Sequence, residues 1–503
     1  AMPEDGERWG RHWLDVVRFA QSNGYERDDE KPHAWRYRDY VISSFNRDKP
    51  YDRFVLEQIA GDELPDGGDE GWIATGFHRL GVWDDEPDDK RAAEFDGQDD
   101  ILKTTTETFL GLTVGCARCH DHMFDPISQR NYYELLAFFR NVKPYNKPGA
   151  DTIRKTGAGD ALVVTERGNK PIDTHLLIRG NAGRPSDKVE PHFPEILGGG
   201  SPEVTPTPHS VGRRHAFARW VAREDNPLTA RVAVNRTWQK LFGEGLVRTV
   251  DYFGLPGERP SHPALLGFLA DRFMREGWSQ KRLIRSLVLS RMYRLSSAHD
   301  ERNHATDPDN RLLWRMNRFR LDAEALRDAM IFTSGKLKPS TGGPALPLEF
   351  QENVNNIDPK NVNPPSFSLR KWRPGQEFER TIYLPIIRSA AQPGPAELRN
   401  MFNFAQPSEF TGQRAITAVP TQALFLMNSP EVKKHVIALA ARMKKETTDD
   451  AKRLEYLWLS LLNRPITAQE QHEAAVFLKQ AGEGAWSELC HALLASNEFL
   501  MRL

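Results

Sequence analysis

Only three cysteines occur among the 503 residues, too few for the disulfide framework of a small secreted scaffold. No run of about 18 or more apolar residues is present, so no segment reads as a transmembrane helix, and no signal peptide opens the chain. An excess of charge of one sign is missing too. The 68 Lys and Arg nearly balance 69 Asp and Glu, and the formal net charge of −1 gives no electrostatic case for nucleic acid or an anionic membrane as partner. A Gly-rich phosphate loop, a G-x-S-x-G elbow and an H-E-x-x-H helix are all absent, which disfavours nucleotide enzymes, serine hydrolases and zincins. There is no internal repeat. What remains is a chain with 27% charged residues and a mean hydropathy of −0.60, long enough to bury about two or three cores. Its 12 Trp and 34 Pro suggest a loop-rich surface on which some Trp could stack on flat ligands or sugar rings, although most Trp belong to cores.

Two of the three cysteines fall in Cys116-Ala117-Arg118-Cys119-His120, the C-x-x-C-H spacing of covalent c-type haem attachment. Thiols three positions apart on one helical turn can form thioethers to the two vinyl groups of one porphyrin, and the next residue then lies under the iron. His120 is the expected proximal ligand. Two rivals stay open: a thioredoxin-like dithiol, and a zinc site using Cys116, Cys119, His120 and His122. The dithiol reading wants no His directly after the second Cys. The zinc reading suffers because adjacent Cys and His side chains diverge. Thioether ligation is made outside the cytoplasm, so the expected location is periplasmic or extracellular, with Cys490 a buried, unpaired thiol. The chain opens on what reads as the first turn of a helix, and is expected to be a piece of something longer.

Periodicity predicts a mainly α protein. Trp9, Trp13, Val16, Val17 and Ala20 form a helical stripe over 7–22, with His12, Asp15 and Arg18 on a neighbouring face. Residues 35–46 and 51–60 form a helical pair, 99–115 a helix that delivers the haem motif, and 132–139 another amphipathic segment. This makes a helical module over 1–145. A small β-rich insert and linker follow over 146–212, where 161–166 and 174–179 read as a hairpin and 198–208 as a linker. The rest, 213–503, is a second, mostly helical module with long loops over 337–415 and a helix started by Ser429-Pro430.

Several longer strings carry a resemblance. Arg11-His12-Trp13-Leu14-Asp15, Asn23-Gly24-Tyr25-Glu26, Trp35-Arg36-Tyr37-Arg38-Asp39, the run from Cys116 to Ile127, Asn226 to Arg231, Val234-Asn235-Arg236, Pro420 to Leu424 and Ser496 to Leu500 resemble the large planctomycete cytochrome-type proteins. These pair a cytochrome-associated domain of unknown function with a planctomycete-specific C-terminal domain, and the resemblance spans nearly the whole chain. It implies export, a further cytochrome domain upstream, and the company of sulfatase-like proteins and polysaccharide-degrading loci.

The sixth iron ligand separates a carrier from an enzyme. Among His122, Met123, His12, His33 and His78, the remote His12 is preferred, with Asp15 as the group that fixes its tautomer. His122 and Met123 lie too near His120 to reach the opposite haem face. Arg18 and Tyr25 are the expected polar assistants of His12 in catalysis. Tyr25, Arg36, Arg38 and Arg179 could grip a sulfated sugar, and the acidic loop at Asp84, Asp85, Glu86, Asp88 and Asp89 could hold calcium. The expectation is an exported haem c oxidoreductase that acts on a carbohydrate or related small molecule and exchanges electrons with a partner cytochrome. The alternative is a non-catalytic electron-transfer or polysaccharide-binding module.

Overall fold

Apolar residues at three- and four-residue spacing fold the N-terminal part into six helices: α1 (Glu4–Val16), α2 (Ala34–Asn46), α3 (Tyr51–Ala60), α4 (Gly68–Ala74), α5 (Lys90–Leu110) and α6 (Gln129–Leu136). The computed structural model describes residues 4–25, 28, 30–145, 152–339, 342–345, 375–388, 397–482 and 484–502. About 52% of it is helical, so the protein is mainly α. The stripe read at 7–22 is real to Val16, and its Trp13 is the hub of the first core. That indole lies 4.8 Å from the Phe54 ring and 5.7 Å from Phe109, and its Nε1–H donates to the Tyr37 hydroxyl at 2.9 Å. Tyr37 in turn donates to Gln58 at 2.6 Å, so the one polar atom of the hub is satisfied inside the core.

The insert differs from its expected pairing. Strand β1 (Ile153–Thr156) pairs with β2 (Gly159–Leu162), and β3 (Thr174–Leu177) with β4 (Pro185–Val189); segments 161–166 and 174–179 do not pair with each other. After Leu162 the backbone is claimed by other partners. The Val164 N–H donates to the Thr75 hydroxyl at 3.1 Å, and Glu166 bridges to Val142. Alternation alone carries no information about these competitors.

Beyond the insert come α7 (Arg213–Ala222), α8 (Thr229–Phe242), α9 (Pro263–Arg275), α10 (Gln280–Val288) and α11 (Glu301–Thr306). Trp220 of α7 stacks on Phe193, and Phe217 packs tilted on Phe138 and edge-on to Phe139, so these helices share one core with the N-terminal module. The first core therefore runs on past residue 213 as far as Met316, and also takes in Ile382, Tyr383 and Ile386. The second core gathers α12 (Ala323–Thr333), α13 (Glu397–Met401), α14 (Pro420–Asn428), α15 (Pro430–Glu446), α16 (Asp450–Leu462), α17 (Ala468–Ala481), α18 (Ala485–Leu494) and α19 (Asn497–Leu500) around Leu439, Met443, Leu457 and Leu494. The short pair β5 (Phe319–Arg320) and β6 (Met501–Arg502) closes the C-terminus onto the entry to α12. Ser429 caps α15 with Pro430 in its first turn, as the sequence predicts. Cys490 is buried and unbonded, its thiol pushed up to about 12 by burial. In the loop region 337–415, the described parts are short turns and α13; the remainder lies outside the described residues.

One buried guanidinium fastens α7 to α3 and to the insert. Arg214 meets Asp62 at 2.7 and 2.8 Å, Glu63 at 2.9 Å and Glu166 at 2.8 Å, all four side chains no more than 1% exposed. Burial and the neighbouring Glu166 and Asp62 push the Glu63 carboxyl up to about 8, against the pull of Arg214.

His78 lies beside this cluster, fully enclosed, with Nε2 2.8 Å from the Ile59 carbonyl oxygen. Burial, then Arg214, takes its pKa down to about 3. A depressed histidine contributes stability that is present above the unfolded value near 6.5 and is lost as pH falls. Urea unfolding at pH 7 and pH 5 should therefore show the gap between wild type and His78→Gln shrinking by about 2 kcal/mol at the lower pH. A constant gap would mean that His78 is not held neutral.

Candidate functional site

The longest helix has to stop before the cysteine motif can turn outward. Gly111 ends α5 in the left-handed region, φ 63°, and a Cβ there would lie 2.9 Å from the Phe253 ring. The helix read over 99–115 therefore ends at Leu110, and a separate 3-10 turn over Val114–Arg118 carries the start of the motif. Such a turn brings positions i and i+3 into line, and Cys116 and Cys119 are both exposed and unbonded. The turn is braced from behind. The Arg118 carbonyl accepts from Tyr133 and Gln129 of α6 at 3.0 Å each, and its guanidinium pairs with Asp96 at 2.6 Å. Gly180, at φ 69°, lies so close that a Cβ would fall 2.7 Å from the Cys119 sulfur.

His120 is exposed, and its Nδ1 lies 2.6 Å from the Asp121 carbonyl oxygen. A proton on Nδ1 satisfies that contact and leaves Nε2 as the lone-pair nitrogen, the orientation a metal-bound imidazole needs. His122 is the opposite case. It is buried, its Nδ1 accepts from the Asp125 and Phe124 backbone N–H groups at 2.8 and 3.2 Å, and its Nε2 faces the Thr113 hydroxyl at 3.3 Å. Both nitrogens are thus engaged in shaping the loop. Just beyond, Met123 and Phe124 stand 77% and 58% exposed, an apolar rim on the motif loop.

His12 does not lie opposite His120. It stands on α1 between two small cavities, of about 130 and about 50 Å³, and neither is lined by any residue of the motif. Among the described residues no hydrogen bond, ion pair or ring contact joins α1 to 114–122; α1 turns its Trp13 face to the first core and its His12 face to α8 and the C-terminal layers. Burial lowers the His12 pKa well below the ordinary value, and Arg8, Lys240, Arg414 and Arg11 lower it further. Arg18 and Tyr25 line neither cavity. Arg18 is buried in an ion pair with Asp100, and Tyr25 is exposed, so the expected catalytic trio is not gathered into one site.

Arg36 donates to the Asp160 carbonyl at 2.6 Å, Arg38 is buried against Asp39, and Arg179 lies on the exposed turn after β3. In the acidic loop Asp89 caps α5, accepting from Arg91 and Ala92, and no metal-holding group of three His, Cys, Asp or Glu side chains exists among the described residues. His33 and His78 stand at the start of α2 and inside the first core.

Asp15 does not serve His12 either. Arg11 meets it at 2.5 Å from within α1, and Arg414 grips both its oxygens at 2.7 and 2.9 Å; Arg414 also binds both oxygens of Glu324 at 2.6 and 2.7 Å. Burial alone would raise the Asp15 pKa, yet Arg414 and Arg11 hold it below the usual carboxylate value. Two guanidiniums therefore outcompete an imidazole for this carboxylate. The spacing of Arg11 and Asp15 hints at an ionic helix face, but no local pattern points to Glu324 or Arg414, hundreds of residues away.

Two family models match the chain. PSCyt2, protein of unknown function (DUF1549), matches residues 1–144, and PSD1, protein of unknown function (DUF1553), matches residues 213–478. Together they are the planctomycete cytochrome-associated pairing that the sequence strings resemble. No curated protein and no solved structure matches. Asp15 and Arg11 belong to the first matched segment, Glu324 and Arg414 to the second, so the buried network joins the two. Arg414→Met should lower the unfolding free energy by about 3–5 kcal/mol, because it strands two buried carboxylates beside a single remaining guanidinium. A loss below about 1 kcal/mol in urea titration would show the network to be dispensable.

Proposed function

The chain belongs to the PSD1 family of proteins of unknown function (DUF1553), whose model covers more than half of it, and for such a chain we propose an exported c-type haem oxidoreductase. Cys116 and Cys119 would form the two thioethers and His120 would bind the iron through Nε2, with Asp121 fixing its tautomer. When bound, the haem would supply reversible one-electron chemistry at its iron. The protein's own share is to hold the motif turn rigid, through Tyr133, Gln129 and the Arg118 ion pairs, and to border it with the apolar Met123 and Phe124. The observation that carries this reading is the unbonded, exposed thiol pair next to an imidazole whose Nδ1 is already engaged.

Export follows from the chemistry, since thioether ligation is made outside the cytoplasm. A partner cytochrome is proposed as the electron donor or acceptor, and a carbohydrate or related small molecule as substrate, in keeping with the resemblance to proteins of polysaccharide-degrading loci. One observation favours the alternative of a non-catalytic carrier: His12, the expected acid/base group, lines a cavity apart from the motif. Cyanide and peroxide separate the two, because a six-coordinate carrier leaves the visible spectrum unmoved and a ligand-accessible iron does not.

Protein co-expressed with cytochrome maturation machinery should carry one covalent haem per chain in a pyridine haemochrome assay, and either Cys116→Ala or Cys119→Ala should reduce or abolish it. Tetrahedral zinc with no Soret band under those conditions would defeat the proposal.

A further inference from the structure

We propose that the larger cavity beside His12 is a binding site for a small oxyanion, either free or as the sulfate or carboxylate substituent of a compact ligand. The cavity lies where α1, α8, the β5–β6 pair and the segment 402–416 meet. Its volume of about 130 Å³ is some ten times what one water needs, about 10–15 Å³. Six basic side chains line it: Arg8, His12, Lys240, Arg320, Arg414 and Arg502. Among the described residues the lining carboxylate is Asp322, and it is committed twice over, to Arg8 at 2.5 Å and to the N-terminus of α12 through the Ala325 N–H at 2.9 Å.

Sorting the cations by partner leaves three without a carboxylate ion pair among the described residues. Arg414 is neutralised by Asp15 and Glu324. Among the described residues Lys240 donates to the Gly412 carbonyl, at 3.1 Å. Arg320 donates to carbonyl and amide oxygens of Thr417, Gln422, Phe402 and Asn403, and its Nε is buried with no acceptor. Arg502 lies over the Tyr293 and Phe319 rings, 4.7 and 5.2 Å from their centroids, with no ion pair among the described residues. Uncompensated cations around a partly dehydrated space repel one another unless an anion joins them. Burial brings Lys240 down to about 8, with Arg414 and Arg8 lowering it further and Asp15 and Asp322 opposing, and the charges acting on His12 are all positive. Lysine and arginine donors in such surroundings form charge-assisted bonds to oxyanions. Phe319, Phe402 and Ile416 supply apolar wall on which the body of an organic ligand can rest.

This inference is independent of the redox proposal, and its test is read without a haem band. Calorimetric titration of the full chain with sodium sulfate, at ionic strength held constant with sodium chloride, should give saturable one-to-one binding that chloride alone does not give. Arg502→Gln should weaken it tenfold or more, and Lys240→Met likewise, whereas the surface variant Lys188→Met should bind like wild type. Lys240 is enclosed and its variant could misfold. Arg502 sits in a strand pair held by backbone hydrogen bonds, so its variant decides. Glucuronate or methyl sulfate binding more tightly than sulfate identifies a substituted ligand; inorganic sulfate binding best identifies the free ion. Either supports the site. No saturable heat with any of the three, or Arg502→Gln binding within twofold of wild type, would overturn it.

Discussion

Two carboxylates and two guanidiniums, withdrawn from water together, decide how the first helix relates to the C-terminal part of this protein. Arg11, Asp15, Glu324 and Arg414 are each at most 11% exposed, and each charge is met by at least one of opposite sign. Burying such groups costs several kcal/mol per ion, so the arrangement holds only with all members present. Phe404 completes it: Arg11, Arg399 and Arg414 stand 4.9, 5.1 and 4.9 Å from its ring centre, and the ring's negative face offsets part of their mutual repulsion. With α1 fixed this way, Arg8 reaches Asp322, Glu7 meets Arg380 and Tyr383, and His12 is left facing a space between layers rather than the motif.

The same constraint explains why matched families and packed cores have different borders. The second family model begins at residue 213, yet Phe217 and Trp220 pack against the rings of 138, 139 and 193, and Trp238 belongs to the same cluster. Helices α7 to α10 complete the first core. The second core starts with α12, which also carries Glu324 of the ionic network. A recurring stretch of sequence is thus not a separately packed body here. Its first hundred residues finish the fold of the segment before the insert.

The helical character of the chain was legible because amphipathic stripes such as Trp9, Trp13 and Val16 are a local property. Caps were legible for the same reason, as Ser429-Pro430 illustrates. The pairing of the insert was not, since strand partners are chosen by competitors such as Thr75 and Val142 that lie far away in sequence. The candidate motif was fully legible as a string, but its form as a 3-10 turn depends on Gly111 being wedged against Phe253, a contact across more than a hundred residues. His12 shows the limit most clearly. Its face of α1 was identified, and its neighbour Asp15 was noticed, but what stands across from them is set by Glu324 and Arg414, which no spacing rule can reach.

The Arg214 cluster has a bearing on how this architecture can be cut and rejoined. Its charges come from three separate stretches: Asp62 and Glu63 just past α3, Glu166 from the insert, and Arg214 from the start of α7. Ser210 and the His215 N–H, from the end of the linker and from α7, also reach Glu63, at 2.5 and 2.7 Å. The insert is therefore a keystone rather than an ornament. Excising it to make a shorter chain would remove one wall of the pocket around a guanidinium that has no route to solvent, and the two flanking helices would lose the reason to stay side by side.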